Sequence, residues 1–207
     1  MRKLPFNKVL VLSPHADDAE LGAGGTIARL LREGAEVYMM TFSLGNAETG
    51  ATFEELKRAA SVFGFEVYDT PPNFVRCRHF QEHRQQILDR IIYRRDMVGP
   101  DLIIAPSTTD AHQDHQVIAA EAIRTCKGLT LWAYEQPWNT VWPFHPNVFV
   151  SLSAKDMGAK IGAVARYGSQ SRKPYTQRHA IKAVAETRGL QAGVFRAEAF
   201  EVVRWVT

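Results

Sequence analysis

Apolar and polar residues follow two rhythms along this chain. Val9-Leu-Val-Leu12 is an unbroken apolar run closed by Ser13-Pro14. A short run of that kind, bounded by turn residues, predicts a strand over 8–13 that is buried on both faces. From Glu20 to Glu33 the spacing becomes helical. Ile27, Leu30 and Leu31 share one face, Arg29, Arg32 and Glu33 another, and Gly34 supplies the stop. Ala35 to Phe42 reads as a second strand. Strand, helix and strand so close together make a βαβ unit, and hence a parallel pair.

The alternation continues. Ser43 to Ala51 is loop-like, and Thr52 with Glu55 forms a capping box for a helix that runs to Phe63 and ends at Gly64. Phe65 to Tyr68 reads as a short third strand, and Pro71-Pro72-Asn73 breaks the chain. A charged helix is predicted over Gln81–Met97, a buried strand over Asp101–Ala105 and a helix over Asp114–Thr125. Then come a strand at Leu129–Glu135, an aromatic, Pro-rich loop at Gln136–Pro146 and a strand at Asn147–Leu152. A helix over Ser153–Tyr167, a polar loop over Gly168–Pro174, a helix over Gln177–Glu186 and a strand over Ala197–Val206 complete the reading. Repeated β-then-α order predicts an α/β fold with a mostly parallel, doubly wound sheet covered by helices on both faces. No repeat or linker calls for a second domain, so residues 1–207 are read as one.

Composition narrows the classes. The chain is 45% hydrophobic and 23% charged, as soluble globular proteins are. No apolar run approaches the ~20 residues of a membrane span, and the apolar run near the N-terminus is too short for a signal-peptide core. A cytoplasmic protein is the simplest expectation. Cys77 and Cys126 are far apart, which argues for free thiols over a disulfide framework. A net charge of +3 without dense Lys/Arg runs gives no sign of a nucleic-acid surface.

The chemistry lies where two of these strands end. His15-Ala-Asp17-Asp18 follows the first strand, and Asp110-Ala-His112-Gln-Asp114-His115 follows the strand at Asp101–Ala105. Ligands bind at the carboxyl ends of strands in such sheets. His nitrogens and carboxylate oxygens are zinc ligands. His15 and Asp18 have that chemistry, while Asp17 projects differently and is suited to take a proton from water. In the second segment one His can bind metal while the other donates to substrate, and Asp114 can orient an imidazole. Alone, the first segment also reads as an acidic helix cap and the second as a solvated helix start.

Taken together, the segments resemble the LmbE-like (PIG-L) family of metal-dependent N-deacetylases. Its His-Pro-Asp-Asp motif stands here as His15-Ala16-Asp17-Asp18, and its His-x-Asp-His motif as His112-Gln113-Asp114-His115. Ala19 to Thr26 is similar to its helix start, and Arg188-Gly189 with Ala197-Glu198-Ala199-Phe200 to its closing motif. The resemblance implies a Rossmann-like three-layer α/β/α sandwich. It implies that His15, Asp18 and His115 bind zinc, or ferrous iron in its place. Asp17 would be the general base on metal-activated water. His112 would be the acid or the donor to the oxyanion, with Asp114 holding it. The implied reaction removes an N-acetyl or other N-acyl group from an amino sugar or sugar conjugate, with N-acetylglucosamine as the type. Cleavage of a non-sugar or thiol-conjugate amide on the same ligands is the alternative. A binding module without catalysis is the reading from another class. The expected partner is a small N-acylated molecule, and a homo-oligomer is left open.

Two departures from the family pattern stand out, the first loosening a loop without removing a functional group and the second bearing on substrate. Ala16 replaces the motif's Pro, and Thr52 stands where family members often carry a sugar-binding Arg. The Gly22-Ala-Gly24-Gly25 cluster invites a dinucleotide reading, but it lacks Gly-x-Gly-x-x-Gly spacing and follows two carboxylates. Close packing of the first helix is the better account. Trp138, Trp142 and Phe144 could stack on a sugar ring or simply pack, and the polar run 166–173 could contact substrate or be solvated. Glu198 reads equally as an exposed residue before a strand. His79, His83, His145 and His179 show no partner pattern.

Overall fold

Strand β1 (Lys8–Ser13) is the centre from which the molecule is built. In the computed structural model, described for residues 2–45, 51–65 and 74–207, successive side chains of β1 enter opposite cores. Val9 and Val11 pack with Ile27 and Leu30 of helix α1 (Asp18–Arg32) and with residues of α5 (Ala154–Val164) and α6 (Arg178–Ala192). Leu10 and Leu12 pack with Ile87 and Ile91 of α3 (Arg84–Val98) and Val117 and Ile118 of α4 (Gln113–Thr125). Each such side chain, fully removed from water, contributes about 1.5–3 kcal/mol. A strand that feeds two cores explains the continuous apolar run, and it makes the fold a three-layer α/β/α sandwich.

The sheet has six strands in the order β2-β1-β3-β4-β6-β5. β2 (Glu36–Thr41), β1, β3 (Leu102–Pro106) and β4 (Thr130–Tyr134) are parallel. β6 (Ala197–Arg204) enters antiparallel between β4 and β5 (Val148–Ser151). From β1 the chain goes first to β2 on one side and later to β3 on the other. The crevice above the carboxyl ends of β1 and β3 is therefore the switch point where open α/β sheets take ligands.

Several helix boundaries differ from those read in the sequence. α1 begins at Asp18, two residues before the predicted start, with Asp17 at the N-cap position but making no side-chain capping bond. Helix α2 (Phe53–Phe63) carries the expected capping box between Thr52 and Glu55 and stops at Gly64, with φ 83°. The predicted helix from Gln81 is instead a 3-10 turn over Phe80–His83 followed by α3. α6 runs past Glu186 to Ala192, where Gly193 at φ 68° ends it. All but Phe65 of the predicted strand at Phe65–Tyr68, and most of the loop at 43–51, lie outside the described residues. No helix among the described residues is long and apolar enough to cross a membrane.

The glycine cluster seats α1 on the sheet. A Cβ on Gly22 would overlap the Tyr134 ring, and one on Gly25 would collide with Leu152. Nearby, Glu198 is buried and receives the Gly25 and Thr26 N–H groups at 2.9 and 2.6 Å. Lys160 completes this cluster by donating to the Leu21 carbonyl and to Glu198. The reading of Glu198 as an exposed residue is thus overturned: it anchors α1 from inside.

Candidate metal centre

The loop from β1 to α1 is held by its own first residue. Ser13 Oγ donates to the His15 carbonyl at 2.6 Å and accepts the Ala19 N–H at 3.0 Å. Tyr167 closes the other side, its hydroxyl donating to the Ala16 carbonyl and the Glu20 carboxylate. The loop thereby presents His15 and Asp18 side by side. After β3, Asp110 does the corresponding work. Its carboxylate accepts the His112 N–H at 2.8 Å and meets His115 Nδ1 at 2.7 Å.

The two loops converge. Asp18 Oδ2 lies 3.1 Å from His15 Nδ1 and 3.1 Å from His115 Nε2, and those two nitrogens are 3.3 Å apart. Ligand atoms at zinc–ligand distances in a tetrahedral shell are separated by about 3.3 Å. Two imidazole nitrogens and a carboxylate oxygen fit that shell and leave a fourth position. The groups behind them fit as well. Asp110 takes the far nitrogen of His115, Asp114 takes the far nitrogen of His15 at 3.0 Å, and Gln136 donates to Asp18 Oδ1 at 2.7 Å. Such partners fix the ring orientation and tautomer of metal-binding histidines.

Electrostatics favour positive charge at this point. Burial raises the Asp18 carboxyl, but the His115 charge and hydrogen bonds from both imidazoles hold it well below the usual range. Burial lowers His115, yet the Asp18 charge and bonds to Asp110 and Asp18 push it up to about 9. His112 goes the other way, to about 4, through burial and the nearby His115 and His15. Asp17, at 8% exposure, is raised to about 6 by burial and by the Asp18 charge. It makes no capping bond at the start of α1. The carboxylate is thus not a mere helix cap; it faces the cleft.

That cleft has a volume of about 310 Å³. Among its walls are His15, Asp17, Asp18, His112 and His115, together with Trp138, Lys173, Tyr175 and Arg78. The structure brings together all six residues singled out by the motifs, but one relation differs. Asp114 touches His15 with its side chain, not His112 as the resemblance implied. His112 instead accepts the Asp114 backbone N–H at Nδ1, at 3.2 Å. Trp138 stacks on Tyr175 with ring centroids 4.4 Å apart, and Lys173 sits over that same ring. Trp142 is half exposed and is not among the cleft walls. Thr52 is engaged as a helix cap, so Arg78 and Lys173 bring the positive charge instead.

The motifs assign no role to Asp110 or Gln136. Asp110 lies two residues before His112 and five before His115. An aspartate just ahead of a helix is a common signal for bonds to the following backbone. Gln136 offers no comparable signal.

Residues 10–126 match the family described as PIG-L: GlcNAc-PI de-N-acetylase. The chain belongs to this family. Among PIG-L-like relatives, it is 28% identical over 171 residues to the Escherichia coli K12 protein described as uncharacterized deacetylase YaiS, covering 78% of this chain and 90% of that one. It is 28% identical over 130 residues to diacetylchitobiose deacetylase of Thermococcus kodakarensis, covering 54% of this chain and 47% of that enzyme. In three dimensions it is similar to the conserved protein TT1542 of Thermus thermophilus. There the TM-score is 0.73 and the identity 26%, over 97% of this chain and 96% of that one.

Proposed function

We propose that this chain is a metal-dependent N-deacetylase, with zinc the natural occupant of the His15–Asp18–His115 centre and an amino sugar or sugar conjugate as substrate. One observation carries the reading: three donor atoms from two distant loops lie 3.1–3.3 Å apart, with the unshared Asp17 carboxylate facing the same cleft. Family membership and relatives described as deacetylases support the reaction class.

When bound, a divalent ion supplies Lewis-acid polarisation of the acyl carbonyl and lowers the pKa of a water toward about 7. The remaining steps belong to the chain. Asp17 accepts a proton as water oxygen bonds to the carbonyl carbon. His112 accepts the Asp114 N–H at Nδ1, so its ring proton is on Nε2. It therefore serves as a neutral donor to the developing oxyanion. Protonated Asp17 is the group placed to return the proton to the amine nitrogen as the C–N bond breaks. Acetate and a free amine leave.

The cleft is at the small end of ligand pockets, which span ~300–1,000 Å³. That size suits one sugar ring and its acyl group. Trp138, Gln170, Lys173 and Arg78 offer it an aromatic edge and polar contacts. Two free thiols, Cys77 and Cys126, suit a reducing, cytoplasmic setting.

The test is elemental analysis of the purified protein, followed by assay of amine release from a panel of N-acetylated amino sugars and non-sugar amides. About one divalent ion per chain is expected, with turnover lost to a chelator and restored by Zn²⁺ or Fe²⁺. Release from non-sugar amides alone would shift the substrate class; metal-free activity would sink the mechanism.

A further inference from the structure

The proposed hydrolytic centre does not employ every cation-binding group in the cleft. Ligand atoms of Cys77, His112, Asp114 and His15 all lie within 4.8 Å of one another. Only His15 is shared with the first centre, one ring nitrogen facing Asp18 and the other Asp114. The thiol is placed by its neighbour. Arg78 adopts a left-handed backbone at φ 70°, its N–H donates to Asp114 Oδ2 at 2.7 Å, and its carbonyl accepts from Gln113. A non-glycine residue in that region is held there by its surroundings. Here those bonds tie the turn carrying Cys77 to Asp114.

A second observation points to a ligand. Asp114 is fully buried, and while Oδ2 serves His15 and Arg78, Oδ1 has no hydrogen-bond partner among the described residues. Buried carboxylate oxygens are ordinarily paired. His112 Nδ1 is engaged by the 3.2 Å contact with the Asp114 N–H, which an ion can replace.

We propose that Cys77, His112 and Asp114 form a second cation site, selective for thiophilic ions such as Zn²⁺ in excess or Cd²⁺, whose filling switches off hydrolysis. Thiolate, imidazole and carboxylate are the donors such ions take, whereas Mg²⁺ and Ca²⁺ prefer all-oxygen shells. Binding releases the thiol proton to solvent as the metal–sulfur bond forms. The ion then occupies the cleft beside His15 and fixes the ring that donates to substrate. The switching rests on the reaction assigned above; the binding does not.

Binding is tested without substrate. The full chain carrying one equivalent of its own metal is titrated with Cd²⁺ under anaerobic conditions, and the thiolate-to-cadmium absorption is followed. A further equivalent should bind with the band rising alongside it, and turnover should fall in step. Cys77→Ser should lose the band and the inhibition while keeping the first equivalent and its hydrolysis. Cys126→Ser should retain both, because that thiol is sealed in the core. Should the serine variant not fold, alkylation of Cys77 in the wild-type chain replaces it. Excess Zn²⁺ should protect the thiol, and a single equivalent should not. Absence of the band, a band that follows Cys126, or a band that rises with the first equivalent each overturns the second site. A band at Cys77 with no fall in turnover overturns the switch.

Discussion

Two clusters of buried charge flank α1, and they differ in what they leave open. The Lys160–Glu198 pair is closed on itself: Glu198 receives two backbone N–H groups and the lysine, and the lysine also meets the Leu21 carbonyl. The cavity beside it holds about 20 Å³, room for little more than a water. In the His15–Asp18–His115 cluster, three donor atoms converge on one point, and that point opens onto a cleft some fifteen times larger. Burial and charge are common to both. Convergence of spare lone pairs and access to solvent separate the candidate metal centre from a structural clamp.

The comparison can be broken at either cluster. Asp17→Asn should lower turnover by about 10²–10⁴-fold, the range for a general base, while leaving metal content unchanged by elemental analysis. Full activity in that variant would remove Asp17 from the mechanism. Lys160→Met should cost about 3–5 kcal/mol in urea unfolding, because it leaves Glu198 as an uncompensated buried charge. Its folded fraction should still bind metal; a selective loss of metal with unchanged stability would mean that the clamp is part of the centre. Asp110→Asn should weaken metal affinity or activity about 10–100-fold, read by competition with a chromophoric chelator. The smallest effect concerns acid. Burial raises the Asp156 carboxyl, but hydrogen bonds from Arg32 and Ser153 outweigh it and hold the pKa below 3.8. Its stabilisation is complete above the unfolded-state value and fades as pH falls through the folded one, so the window lies below about pH 4. Asp156→Asn should lower stability at neutral pH, measured by thermal melts, and the gap to the wild-type chain should close as pH falls through that window.

Much of this was legible in the sequence because local rules agreed with tertiary demands. The apolar run at Val9–Leu12, closed by Ser13-Pro14, reads as a buried strand, and the Thr52–Glu55 box marks a helix start; the structure keeps both. The six motif residues could be named because carboxyl ends of parallel strands concentrate ligand chemistry. What escaped was non-local. Nothing in the alternation of 197–206 reveals that β6 inserts antiparallel between β4 and β5. Glu198 looks like any charged residue beside a strand until its partner, 173 residues earlier, is known. The pairing of Asp114 with His15 instead of its neighbour His112 depends on where two loops meet, and periodicity is silent on that.

The clamp on α1 has a consequence for how the protein comes off the ribosome. Asp18, a proposed metal ligand, starts a helix whose middle is grasped by Glu198 of β6. The first strand, first helix and both motifs emerge early, yet that grip becomes available only once β6 has been synthesised and slotted between its neighbours. If the proposed centre holds a metal, loading is expected to follow the insertion of β6, because only then is α1 fixed by Glu198.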